Sequence, residues 1–202
     1  MFALVESGSI TKMLNGRRGI TIDGVQHPQQ IFTIWTESER NAIGIYTVEL
    51  DESKKKDEQW YRNTDITYAF SGGKVTGSYG DATAKAHADT LFTAQDETDG
   101  LGTEGDVKVE GLKTKLIRTI KQQAAGILKD TDWYVIRKAD AGTAVPSSIT
   151  THRAAVRTKC AEMEIAITNA ADTPALETLY TYTEQEDGSI TRPLGELPVL
   201  EA

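Results

Sequence analysis

The chain has 202 residues, of which 30 are acidic and 22 basic, for a net charge of -8. That length suits one large domain or two small ones, and the acidic balance argues against a protein that coats nucleic acid, whose footprint is a clustered basic face. Apolar runs reach only about five residues, as at Met1–Val5, far short of the ~18 that cross a membrane. The single cysteine, Cys160, permits no internal disulfide and fits folding in a reducing compartment. No basic region precedes a longer apolar stretch at the N-terminus, which argues against a cleaved secretory signal.

The first eighty residues, net -1, read as mostly β. Phe2–Glu6 and Ser9–Leu14 flank Ser7-Gly8, the pattern of a hairpin, and Gly19–Val25 repeats it around Asp23-Gly24. Pro28 opens a segment to Trp35 that suits a short helix docked on the sheet. Thr36 and Glu39 stand at capping-box spacing, which predicts a helix from Glu37 to about Ile43, ended by Gly44. Ile45–Leu50 then has strand composition. Residues 60–70 and 74–79, joined at Ser71-Gly72-Gly73, read as a further hairpin.

Between 81 and 106 one lysine faces seven acids, net -6. Such a stretch, poor in aromatics and rich in Asp, Thr and Gly, reads as a connector over 88–106. The period then changes. Leu112, Leu116, Ile120, Ala124 and Ile127 recur every three to four residues, the stripe of an amphipathic helix of five or six turns. A short helix holding Trp133, Ile136 and Arg137 follows, and Gly142 and Pro146 break it. Ser147 or Ser148 suits the N-cap of a third helix carrying Ile149, Val156, Cys160, Met163 and Ile167. Thr173-Pro174 opens a fourth, since proline favours the first helical position. The end of the chain, with Pro193 and Pro198, reads as extended.

Few motifs carry chemistry. Gly100–Gly105 matches the spacing of a dinucleotide-binding loop, but acids rather than a buried strand precede it and four carboxylates surround it. Asp96, Asp99, Glu104 and Asp106 could offer oxygens to a calcium ion, although the EF-hand spacing is absent. His27, His87 and His152 are isolated, and His152 lies two helical turns, about 12 Å, from Cys160. No catalytic, cofactor or metal site is therefore assigned. Lys54–Lys56 is hemmed by acids that cancel its field. Trp35, Trp60 and Trp133 could anchor either a core or an interface, tryptophan being enriched at binding hot spots.

The order Asp132-Trp-Tyr-Val-Ile-Arg137, Gly142, Val145-Pro146, then Arg153-Ala-Ala-Val-Arg157 resembles the C-terminal helical segment of small bacteriophage tail-associated proteins. The opening Met1–Ile10 and Ala42–Val48 are similar to the N-terminal part of such proteins. This resemblance implies a viral, non-enzymatic protein that either stays in the tail or escorts fibres as an assembly chaperone. It implies other fibre or baseplate proteins as partners, a place in the virion tail and assembly in the host cytoplasm.

Together these signals predict an α+β protein with no cofactor and no nucleic-acid or membrane partner. It divides into an antiparallel β-rich module (1–87), an acidic linker (88–106), a helical hairpin or bundle (107–185) and an extended tail (186–202). A bundle of that size is near the lower limit for one core, so docking or homo-oligomerisation is expected. Trp133 should pack between the long helix and the helix opening near Ser148, where Leu128, Ile136 and Val156 reach it. Arg153 and Arg157, one turn apart, should meet Asp130, Asp132 or Asp140 and set the angle of the elbow. Trp35, Trp60, Trp133, Arg137, Arg153 and Arg157 are the candidate partner-binding or elbow residues. An unrecognised hydrolase is the reading from another class, and it would require a converging cluster of His, Asp and Glu.

Overall fold

A computed structural model of the chain describes residues 1–200. Contacts divide it into one compact unit over Met1–Thr83 and a second from Ala84 onward. Strands dominate the first and helices the second, so the class is α+β.

In the first unit β1 (Phe2–Glu6) and β2 (Ser9–Leu14) form a hairpin whose register shifts between Leu4 and Val5. A smaller hairpin, β3 (Ile20–Ile22) with β4 (Val25–His27), follows. Residues 29–35 form only a single 3-10 turn, Gln29–Phe32, that drops Ile31 and Phe32 into the core. The capping box is present: Thr36 accepts from the Glu39 amide while Glu39 accepts from the Thr36 amide, opening α1 (Glu37–Ala42). Then come β5 (Ile45–Asp51), the two-residue β6 (Tyr61–Arg62), β7 (Thr67–Ser71) and β8 (Lys74–Ser78).

The main sheet has the order β2-β1-β5-β8-β7 and curls until its two edges approach each other. One pair departs from the antiparallel expectation: β5 and β8 run parallel, Val48 beside Val75. β7 and β8 form a tight antiparallel hairpin, and β8 rather than β7 lies next to β5. Leu4, Ile20, Ile22, Ile31, Phe32 and Ile45 pack on one side of the sheet. Ala3, Val5 and Val75 pack on the other. Alternation along β1 supplies both faces.

The acidic stretch is folded, which corrects the linker reading. After β9 (Thr83–Ala84) at the seam, β10 (Thr90–Leu91), α2 (Ala94–Thr98) and β11 (Val107–Val109) form a small excursion in which β10 pairs with β11. Thr93 and Asp96 make a second capping box, and Lys108 binds Asp96 at 2.6 Å. Asp89 accepts from the Gly111 amide at 2.7 Å and from the Thr114 hydroxyl, tying the excursion to the next helix. Hydrogen bonds to carboxylates stand in for the apolar burial that the composition lacks.

Four helices follow, α3 (Leu112–Lys129), α4 (Asp132–Ala141), α5 (Ser147–Asn169) and α6 (Thr173–Tyr180). Pro146, rather than a serine, holds the N-cap position of α5, and Asp172 caps α6. Ile120 and Ala124 of α3 are buried, as are Val156, Cys160, Met163 and Ile167 of α5 and Leu176 of α6. The end of the chain is less extended than expected. β12 (Thr183–Glu184) pairs with β13 (Ile190–Thr191), and beyond them Leu194 is buried and its amide donates to the Leu179 carbonyl.

Candidate interaction site

The elbow between α3 and α5 is built around one arginine. α3 stops at Lys129, which leaves the Leu128 carbonyl without a helical partner. Thr131 answers it twice, with its amide at 3.1 Å and its hydroxyl at 3.0 Å. One nitrogen of the Arg153 guanidinium donates to the Leu128 carbonyl and to the Thr131 hydroxyl, each at 2.7 Å. Its other terminal nitrogen meets Asp132 Oδ1 at 2.8 Å. Thr131 and Arg153 are both buried. This cross-link joins the end of α3, the start of α4 and the first turns of α5. Arg157, the second member of the expected pair, is exposed and donates to the Arg153 carbonyl at 3.5 Å instead of meeting an acid.

With its N-terminus pinned in this way, α4 turns its side chains outward and buries none of them. Trp133 is 49% exposed and Ile136 67% exposed, with Val135 exposed beside them. The expectation of a core Trp133 is therefore corrected. The buried place at the elbow is taken by Thr131 and by the Arg153 guanidinium rather than by the indole. Trp133 and Tyr134 stack with ring centroids 3.7 Å apart. The Arg137 guanidinium lies 4.7 Å from the first ring centroid and 5.5 Å from the second. Arg137 makes no ion pair among the described residues, and its Nε is buried without a hydrogen-bond partner. A cation held over two aromatic rings and flanked by exposed aliphatics can take up a carboxylate from elsewhere.

The other two tryptophans belong to the first unit. Trp60 is buried in its core, which removes it as a partner anchor. Trp35 is half-buried, with its indole edge-on to His27 at 5.8 Å, and its carbonyl accepts from Arg40.

The remaining candidates are held internally. Gly100–Gly105 lies between helix α2 and strand β11, the reverse of the strand-then-helix order a dinucleotide loop needs. Lys108, with Thr93, holds the carboxyl of Asp96 down to about 2. Burial pushes the Cys160 thiol up, and its contact with Glu164 at 3.5 Å adds to that. No group of three or more His, Cys, Asp or Glu side chains that could hold a metal occurs among the described residues. Comparison with protein-family models, with curated proteins and with solved structures gives no match. One signal for the α4 surface was readable in the sequence: Arg137 stands four residues after Trp133 and three after Tyr134, the spacings at which helical side chains meet.

Proposed function

We propose that this chain is a non-enzymatic structural adaptor of a bacteriophage tail that attaches to fibre or baseplate proteins through α4. The observation that carries the reading is the outward face of α4, where exposed Trp133 and Ile136 flank an Arg137 that no carboxylate neutralises. An exposed tryptophan with a half-buried arginine against its ring has the composition of interface hot spots. The complementary partner surface presents an Asp or Glu beside an aliphatic depression. The resemblance of Asp132–Arg157 to tail-associated proteins supports the viral setting, with assembly in the host cytoplasm and retention in the virion tail.

Mass spectrometry of purified virions tests the reading, and this chain is expected at fixed stoichiometry with the fibre. Trp133→Ala and Arg137→Ala are each expected to remove it from particles. Absence from wild-type particles, together with failure of fibres to assemble without it, would make it a chaperone instead. Normal incorporation of both variants would overturn the role of α4.

A further inference from the structure

We propose that the loop joining β2 to β3 forms a binding site for a small ligand carrying a phosphate or carboxylate on an apolar body. Residues 12–16, 18–21 and Phe32 line an open cavity of about 460 Å³, within the ~300–1,000 Å³ typical of small-molecule sites. Two cations, Lys12 and Arg18, line it, and no acid does.

Several other cations of the unit are already engaged. Lys54 is paired with Asp81, Lys55 with Glu52 and Lys74 with Glu49, while Arg40 lies over the Phe2 ring. Lys12, Arg17 and Arg18 make no ion pair among the described residues. In a chain of net charge -8, unspent cations gathered at one concavity create a local positive potential. An ammonium and a guanidinium in one lining are the donors that oxyanions select.

The apolar part of the ligand is read from the floor. Leu14, Ile20 and Phe32 line the cavity, and Ile20 and Phe32 also belong to the buried core. That floor exists without a ligand, so binding orders only the two long side chains. The loop itself is shaped by a turn in which Asn15 Oδ1 accepts from the Arg17 amide at 3.0 Å. Arg17-Arg18 between two glycines is the sequence signal for this site, hidden in the net charge of -1 over the first eighty residues by acids elsewhere in that segment. The site is independent of the α4 surface.

Amide chemical shifts of the ¹⁵N-labelled full chain, followed during titration, test the proposal. The probes are phenyl phosphate, phenylacetate and inorganic phosphate. Phenyl phosphate or phenylacetate is expected to shift the amides of Gly16, Arg18 and Gly19 saturably, and the tighter of the two identifies the anion class. Inorganic phosphate, lacking a body for the floor, is expected to bind at least threefold more weakly. Lys12→Gln and Arg18→Gln, both at exposed positions, should each weaken binding about threefold, and the double variant at least tenfold, with the remaining spectrum unchanged. Absence of saturable shifts at these amides would overturn the proposal. So would unaltered affinity in the double variant, or inorganic phosphate binding as tightly as the aryl probes.

Discussion

The Arg153 guanidinium of α5 sits 2.7 Å from the Leu128 carbonyl at the end of α3, a cation placed where a helix ends and its carbonyls point outward. Helix C-termini favour positive charge there. The same group also meets the buried Thr131 hydroxyl and Asp132, so a single side chain sets the geometry of the elbow. Its partners differ in worth. Thr131 is 3% exposed, whereas the Asp132 side chain is 51% exposed and shares its charge with water.

Arg153→Ala is therefore expected to cost about 2–3 kcal/mol, because it strips a charged donor from buried acceptors. Asp132→Asn should cost no more than about 1 kcal/mol, the range of exposed ion pairs. Urea midpoints at unchanged slope measure both. Equal losses would mean that the ion pair, rather than the carbonyl and hydroxyl contacts, holds the elbow.

Trp133 and Trp60 should respond in opposite ways. Trp133→Ala leaves the melting temperature nearly unchanged, within about 0.5 kcal/mol, as at other exposed positions. Trp60→Ala empties a buried site and costs about 3–5 kcal/mol. In partner binding, Trp133→Ala should lose at least about 2 kcal/mol, near thirtyfold in Kd. Thermal melts of both variants, alongside capture of tail proteins by the full chain, provide the comparison.

Asp96 supplies the pH dependence of the acidic excursion. Its hydrogen bond from Lys108, then those from Thr93, hold its folded value near 2, below the ordinary 3.8. A depressed carboxylate contributes stability that is complete above the unfolded value and lost as pH falls through the folded one. Asp96→Asn should thus be less stable than the parent at pH 5, and the gap should close as pH drops from about 4 toward 2. Carboxyl-carbon NMR titration gives the midpoint directly. A midpoint at the ordinary value would remove the Lys108 contact from the account.

Two glycines of α3, one at its N-cap and one in its interior, make a contrasting pair. A Cβ on Gly111 would lie 2.3 Å from the Ala88 carbonyl oxygen, whereas one on Gly126, inside α3, meets nothing within 4 Å. Gly111→Ala is expected to destabilise by about 2–3 kcal/mol, since backbone cannot step aside as a side chain can. Gly126→Ala should stabilise by about 0.5–1 kcal/mol through lower chain entropy. Unfolding curves for the two single variants decide it. A stabilised Gly111→Ala would mean that residues 86–89 pack differently against α3.

Local physics accounts for what the sequence alone determined. Thr36 and Glu39, three residues apart, close a capping box with no help from the rest of the chain. The Leu112–Ile127 periodicity defines α3, and Ser7-Gly8 and Asp23-Gly24 turn the first two hairpins. The α+β class follows from where the period changes. Thr93 and Asp96 carry the same box signal, but the acidic composition around them points to a linker. The fold reverses that reading because Lys108 and the start of α3 lie close enough to bind the carboxylates of Asp96 and Asp89.

Tertiary structure alone decided the rest. Which of β8 and β7 sits beside β5, and in which direction, depends on strand pairing between residues far apart in the chain, and here β5 and β8 run parallel. Trp133 lies outside because the buried place at the elbow goes to Thr131 and to Arg153, twenty residues away from the indole. The cavity at Lys12 and Arg18 exists because Phe32, from a separate turn, closes its floor. Capping, turn chemistry and helical periodicity act within about four residues and are written in order along the chain. Burial and charge neutralisation depend on which distant groups arrive, and only the folded chain brings them together.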